Sequence, residues 1–216
     1  AFAVLVKNRL RMIGMQQLAG HVPLSGTGMA FPWRTIAAMP LANAEIAEDI
    51  YLGLQLVLTQ QGATFVPTAQ LRSALPTDSD SQQSQRQRWE HGHIDLIKRM
   101  LPGLLRQAVQ QKSWPILATA IDLSIPPLSL LIVLNVSLWL VAVILWWLSG
   151  MSAAVMLTSV NLLMILVTVL ACWWQVGRTV LTFKDLLQVP AYVWQKLTIY
   201  RAYLIAKQTK WVKTKR

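Results

Sequence analysis

Three short groupings in this chain hold side chains that could do chemistry. Glu48-Asp49 sets two carboxylates side by side behind a small residue, Ala47. A carboxylate held in place can accept the proton of an attacking hydroxyl. Acids in the first turn of a helix also interact favourably with its dipole, so the pair alone decides nothing. Gln85-Arg86-Gln87-Arg88-Trp89 comes next. Arg88 can present a fork of donors to a diphosphate, and Gln85 lies one helical turn earlier, close to its face. Trp89 offers a flat apolar surface for a sugar ring, although a polar surface helix with Trp89 turned into a core has the same composition. The third grouping is Gly26-Thr27-Gly28, where missing side chains permit close backbone approach to a ligand.

Two further patterns suggest metals and are set aside. His91 and His93 are two residues apart, so on a helix they point away from each other and make a poor zinc pair. Asp78-Ser79-Asp80 has two acids at ligand spacing, but it follows Asp49 and lies in a polar Ser/Thr loop without a preceding buried strand of the expected kind.

The elements that must position these residues read as α/β over residues 1–113. Phe2 to Met12 is apolar with Lys7, Arg9 and Arg11 interleaved, a helix expected to stop at Gly14. Pro32 opens a short helix. Asn43 is a plausible cap for the next one, in which Ile46, Ile50, Leu54, Val57 and Leu58 recur at helical spacing up to Gly62. Thr64-Phe65-Val66 reads as a short buried strand. Pro76 to Ser84 reads as a loop, and Ser84 to Arg99 as a helix interrupted near Pro102-Gly103.

Leu123 to Gly177 contains no Asp, Glu, Lys or Arg over 55 residues. A membrane span takes about 20 apolar residues, so this stretch holds two, expected at Leu128–Leu148 and Ala153–Gln175. The short turn Ser149-Gly150-Met151-Ser152 makes them an antiparallel hairpin. Neither span carries an ionisable residue, which argues against a transporter, and Asp122 just ahead of them reads as interfacial. Arg178 to Arg216 carries nine basic residues against one acid, Asp185, while residues 1–113 carry 11 basic and seven acidic ones. Basic flanks favour the cytoplasmic side, so both ends of the hairpin are expected there, in a cytoplasmic (inner) membrane. The net charge of +11 is then a matter of anionic headgroups rather than nucleic acid. Cys172, the single cysteine, excludes an intramolecular disulfide. After the spans, Pro190 starts a helix that places Val193, Leu197, Tyr200 and Leu204 on one face, with basic and aromatic residues around it. That composition suits a helix lying in the membrane interface. The opening residues, already in mid-pattern without a Met, read as the latter part of a longer chain.

Taken in order, the chemical groupings resemble the second half of the catalytic domain of membrane-bound family 2 glycosyltransferases, the group that includes cellulose, hyaluronan and chitin synthases. That family runs from a glycine-containing acceptor turn to Thr-Glu-Asp, then Gln-x-x-Arg-Trp, then membrane helices. Here the turn is Ser25-Gly26-Thr27-Gly28-Met29, the acidic motif is Ala47-Glu48-Asp49, and the last is Gln85-x-x-Arg88-Trp89. Ala47 in place of Thr removes a hydroxyl and leaves the base.

The resemblance implies a partial GT-A-like domain over residues 1–113, a two-helix transmembrane hairpin over 114–177 and a basic interfacial amphipathic helix and tail over 178–216. It implies inverting transfer from a nucleotide-sugar donor to a saccharide or lipid-linked acceptor at the bilayer, with Asp49 as general base. Gln85 and Arg88 would hold the diphosphate. Trp89, Glu48, Gly26, Thr27 and Gly28 would border the substrates. Mg or Mn is expected, with ligands outside this chain, which would be inactive alone. Partner subunits are one way to complete a polymer channel. The rival expectation is a non-catalytic membrane subunit that keeps a transferase-like shell.

Overall fold

The computed structural model describes residues 2–39, 41, 45–69, 71 and 79–205. Its elements are α1 (Phe2–Leu5), a π-helical turn (Val6–Leu10), α2 (Arg11–Ala19), α3 (Trp33–Ala37), α4 (Glu48–Leu58), α5 (Ser79–Gln110), α6 (Trp114–Ser124), α7 (Leu128–Ser149) and α8 (Ala153–Cys172). A second π-helical turn (Trp173–Gly177), α9 (Phe183–Leu186) and α10 (Val189–Ile205) complete the order. The chain divides into two compact units, residues 2–6 with 126–201, and residues 7–125 with the described residues 202–205.

The α/β expectation is overturned, because the described residues contain helices and no strand. Thr64-Phe65-Val66 does not extend a ladder. Its neighbourhood makes one isolated antiparallel bridge, Val22 with Ala63, in which the Val22 amide donates to the Ala63 carbonyl at 2.9 Å. The Phe65 amide donates instead to Gln16 Oε1 at 3.1 Å. A backbone amide needs a partner, not a sheet, and here a helix side chain supplies it.

The unit that begins at Lys7 is built on three helices. Leu54 and Val57 of α4, Leu96, Leu104 and Ala108 of α5, and Ile116, Ala120 and Leu123 of α6 form its main core. Met15 and Ala19 of α2 pack on Ala118 of α6 as a smaller cluster. Packing outweighs local signals at two points. Gly14 does not stop the first helix, because Met12, Met15 and Ala19 bury one continuous face; α2 ends at Gly20, whose φ of +74° suits glycine and whose amide donates to Gln16 O. Pro102 does not interrupt α5, although a proline inside a helix costs about 3 kcal/mol. The helix runs through it from Ser79 to Gln110 and buries Leu96 and Leu104 completely. The loop expected up to Ser84 is likewise helix from Ser79 onward. Asn43 lies outside the described residues, and α4 starts at Glu48 behind Ala47.

In the other unit, α7 and α8 form over the segments read as spans, and α8 continues through the π-helical turn to Gly177. The two helical stretches are 22 and 25 residues long, enough by length and composition to cross a bilayer, and almost none of their surface is covered by protein. Gly150, with φ of +72°, closes α7. Trp139 Nε1 of α7 donates to Ser159 Oγ of α8 at 3.0 Å. Thr182 and Asp185 cap α9 reciprocally. In α10, Ile199 and Tyr200 are buried, with the Tyr200 hydroxyl bonded to Ser129, while Trp194 is exposed.

Candidate functional site

Asp49 occupies the first turn of α4, whose leading amides have no side-chain cap from Ala47. Its Oδ1 accepts from the Ile50 amide at 2.8 Å, so the carboxylate supplies part of that missing cap. Two contacts fix the start of α4 against α5. Gly92 of α5 has no Cβ, and one added there would stand 3.1 Å from the Ala47 Cβ. Arg99 of α5 donates to Glu45 and, at 3.0 Å, to Asp95.

The glycine turn lies directly against this acid. Gly26 has φ of +82°, and a Cβ built on it would stand 3.1 Å from Asp49 Oδ2. The carboxylate therefore occupies space that any other residue would take. Gly28 has φ of +67°, but a Cβ there would only touch Leu71 at 3.6 Å. Thr27 and Glu48 are exposed.

Gln85, Arg88 and Trp89 lie at i, i+3 and i+4 on α5 and so share one stripe. Gly92 continues that stripe and meets Ala47, which directs it toward the start of α4. Gln85 and Arg88 are half-buried and Trp89 is 47% exposed, so Trp89 is no core residue.

Lys7 links the pieces and was read in the sequence only as an interleaved basic residue. Its Nζ lies 5.9 Å from the centroid of the Trp89 ring and feels the charge of Asp49. Solvent reaches the side chain, yet protein crowds the ammonium. That crowding lowers its pKa, with Asp49 opposing the shift and Arg11 adding to it.

Lys7 also lines a small cavity, with Arg11, His21, His93, Thr119 and Asp122 among others. Asp122, read in the sequence as interfacial, is paired with a helix of its own unit. Arg11 donates to both its oxygens, at 2.8 and 2.7 Å, which pins α2 to α6. His93 Nε2–H donates to Leu123 O at 3.2 Å. Its pKa is lowered by burial first, then by the Arg11 charge. His21 donates from Nδ1 to Ala19 O at 3.0 Å and meets the Thr119 hydroxyl at 2.7 Å; burial lowers its pKa too. His91 is fully buried and packs edge-on against Tyr203, with centroids 5.0 Å apart.

The chain matches the family described as "Glycosyl transferase family group 2" over residues 3–194. It belongs to that family and is a glycosyltransferase by membership. Searches of curated proteins and of solved structures gave no match.

Family 2 transferases commonly use a divalent metal. The residues described here do not fit one: no three of His, Cys, Asp and Glu gather among them, and the Lys7 ammonium lies close enough to feel the Asp49 charge. Asp78 of the Asp-x-Asp sequence lies outside the described residues.

Proposed function

We propose that this protein transfers a sugar from a nucleotide-sugar donor to a saccharide or lipid-linked acceptor at the cytoplasmic face of a membrane, with inversion, in polysaccharide synthesis. The observation that carries the reading is the packing of Asp49 against the Gly26 turn, two residues after Ala47, which meets Gly92 on the stripe that bears Gln85, Arg88 and Trp89.

Asp49 accepts the proton of the acceptor hydroxyl as its oxygen forms a bond to the anomeric carbon. The bond from that carbon to the diphosphate breaks on the opposite side. Arg88 and Gln85 hold the departing diphosphate, where charge develops and fixed donors are worth most. Trp89 borders the acceptor sugar, with Glu48, Thr27 and Gly28 at the rim. Lys7, near the Trp89 ring and within the field of Asp49, keeps a positive charge beside the reacting groups. Residues 1–113 carry this chemistry. The hairpin of α7 and α8 holds it at the bilayer, with both flanks cytoplasmic, and the basic helix after it rests on the anionic surface.

The test is sugar transfer by membranes containing the full-length protein, using a panel of labelled nucleotide sugars with wild type and Asp49→Asn. Transfer by wild type should fall at least ~100-fold in the variant, the low end of what a positioned base contributes. Equal transfer by both removes Asp49 from the mechanism. No transfer from any donor, with the protein intact in the membrane, removes the enzymatic reading.

A further inference from the structure

Asn161 is a polar residue in an apolar place. It is exposed on α8, and among the described residues no hydrogen bond reaches its carboxamide. Its depth follows from the hairpin. Trp139, midway along α7, bonds Ser159 of α8, and Asn161 lies two residues farther on, about 3 Å along the axis. The other polar side chains of α8 near it are provided for. Thr158 and Thr168 donate to carbonyls one turn back, at 2.8 Å each, and Ser159 accepts from Trp139.

Asn161 also stands at the centre of a regular stripe. Ala154, Leu157, Asn161, Met164, Thr168 and Ala171 alternate at spacings of three and four, and all six are exposed. That is the spacing a two-helix seam uses, with small residues at both ends that would allow close approach. A lone polar residue at such a position is known to set register and partner number.

We infer that α8 makes a symmetric contact with α8 of a second copy of this chain, centred on an Asn161–Asn161 pair. The inference rests on α7 and α8 being membrane spans. Two copies inserted with the same topology run their α8 helices parallel. A two-fold axis along the membrane normal then places the two carboxamides at the same depth. A carboxamide both donates and accepts, so the pair satisfies itself without water. A helix of any other protein would need a polar group at that same level.

The experiment uses full-length protein in membranes, freed of other cysteines including Cys172. Cysteine is placed at Met164, on the seam, or at Leu166, on the opposite side of α8. Oxidation should give a cross-linked dimer from Met164→Cys and little from Leu166→Cys. Adding Asn161→Leu should weaken association roughly 3- to 30-fold, the range of interhelical hydrogen bonds. Equal cross-linking at both positions overturns the inference. So does insensitivity to Asn161→Leu, or a Met164→Cys adduct to a different protein or to another helix of the same chain. Labelling of Leu166→Cys by a water-soluble maleimide separates the two failures. Ready labelling in intact membranes means the spans were misread. Protection without a dimer means that only the symmetric contact is wrong.

Discussion

Replacing Gly26 and Gly28 in turn by alanine separates backbone strain from the placement of Asp49. Both glycines have positive φ, +82° and +67°, so each alanine carries the same kind of penalty, about 1–2 kcal/mol for a left-handed residue with a side chain. Stability should therefore fall by similar amounts. Their surroundings differ. The new Cβ at position 28 makes an ordinary 3.6 Å contact with Leu71, whereas at position 26 it stands 3.1 Å from Asp49 Oδ2. The carboxylate must then give way by a few tenths of an ångström. A misplacement of 1 Å at a reacting group costs about 100-fold, so a few tenths scales to roughly 3- to 10-fold in turnover. The assay is transfer rate at saturating substrates, normalised to inserted protein, alongside thermal unfolding of both variants. Gly26→Ala should lose turnover at near-equal stability to Gly28→Ala. Equal turnover losses in the two variants, or none in Gly26→Ala, would refute a catalytic role for the contact between the turn and Asp49.

Lys7 should matter as a charge: Lys7→Met is expected to slow transfer about 10-fold, the scale of one charge-assisted interaction. Because crowding lowers its pKa from 10.5, wild-type activity should decline on the alkaline side before an ordinary lysine titrates. Lys7→Arg should remove that decline; a pH–rate profile unchanged by Lys7→Arg counts against the role. Asp122→Ala leaves Arg11 half-buried without its carboxylate. With side-chain exposures of 31% and 12% for the pair, solvent screens part of the loss, so a destabilisation of about 1–3 kcal/mol is expected in denaturant melts. Burial lowers the pKa of both His21 and His93 from 6.5, so the unfolded chain binds more protons than the folded one just below that pH. Stability should then hold above about pH 6.5 and fall as the pH drops below it. His93→Gln should flatten that slope, and a melt independent of pH between 7 and 5 would contradict it.

Some of this molecule was legible in its sequence. The hairpin helices formed where 55 uncharged residues required them, because apolar length and a four-residue turn need no distant partner to be recognised. The order of the glycine turn, Glu48-Asp49 and Gln85-x-x-Arg88-Trp89 was enough for the family, since motif chemistry is written in residue type and spacing. Long-range packing decided the rest. Thr64-Phe65-Val66 had a strand's composition, but strands exist only with neighbours, and Gln16 took the hydrogen bond a ladder would have used. Gly14 and Pro102 were local stop signals, each weaker than the core face it interrupted. Lys7 and Gly92 carried no signal at all as single letters. Lys7 gains its meaning from Asp49, 42 positions away in the chain, and Gly92 from the Ala47 side chain whose approach it permits. Periodicity and residue type report what a segment can do alone. Which distant side chain fills the space beside it is a property of the folded chain.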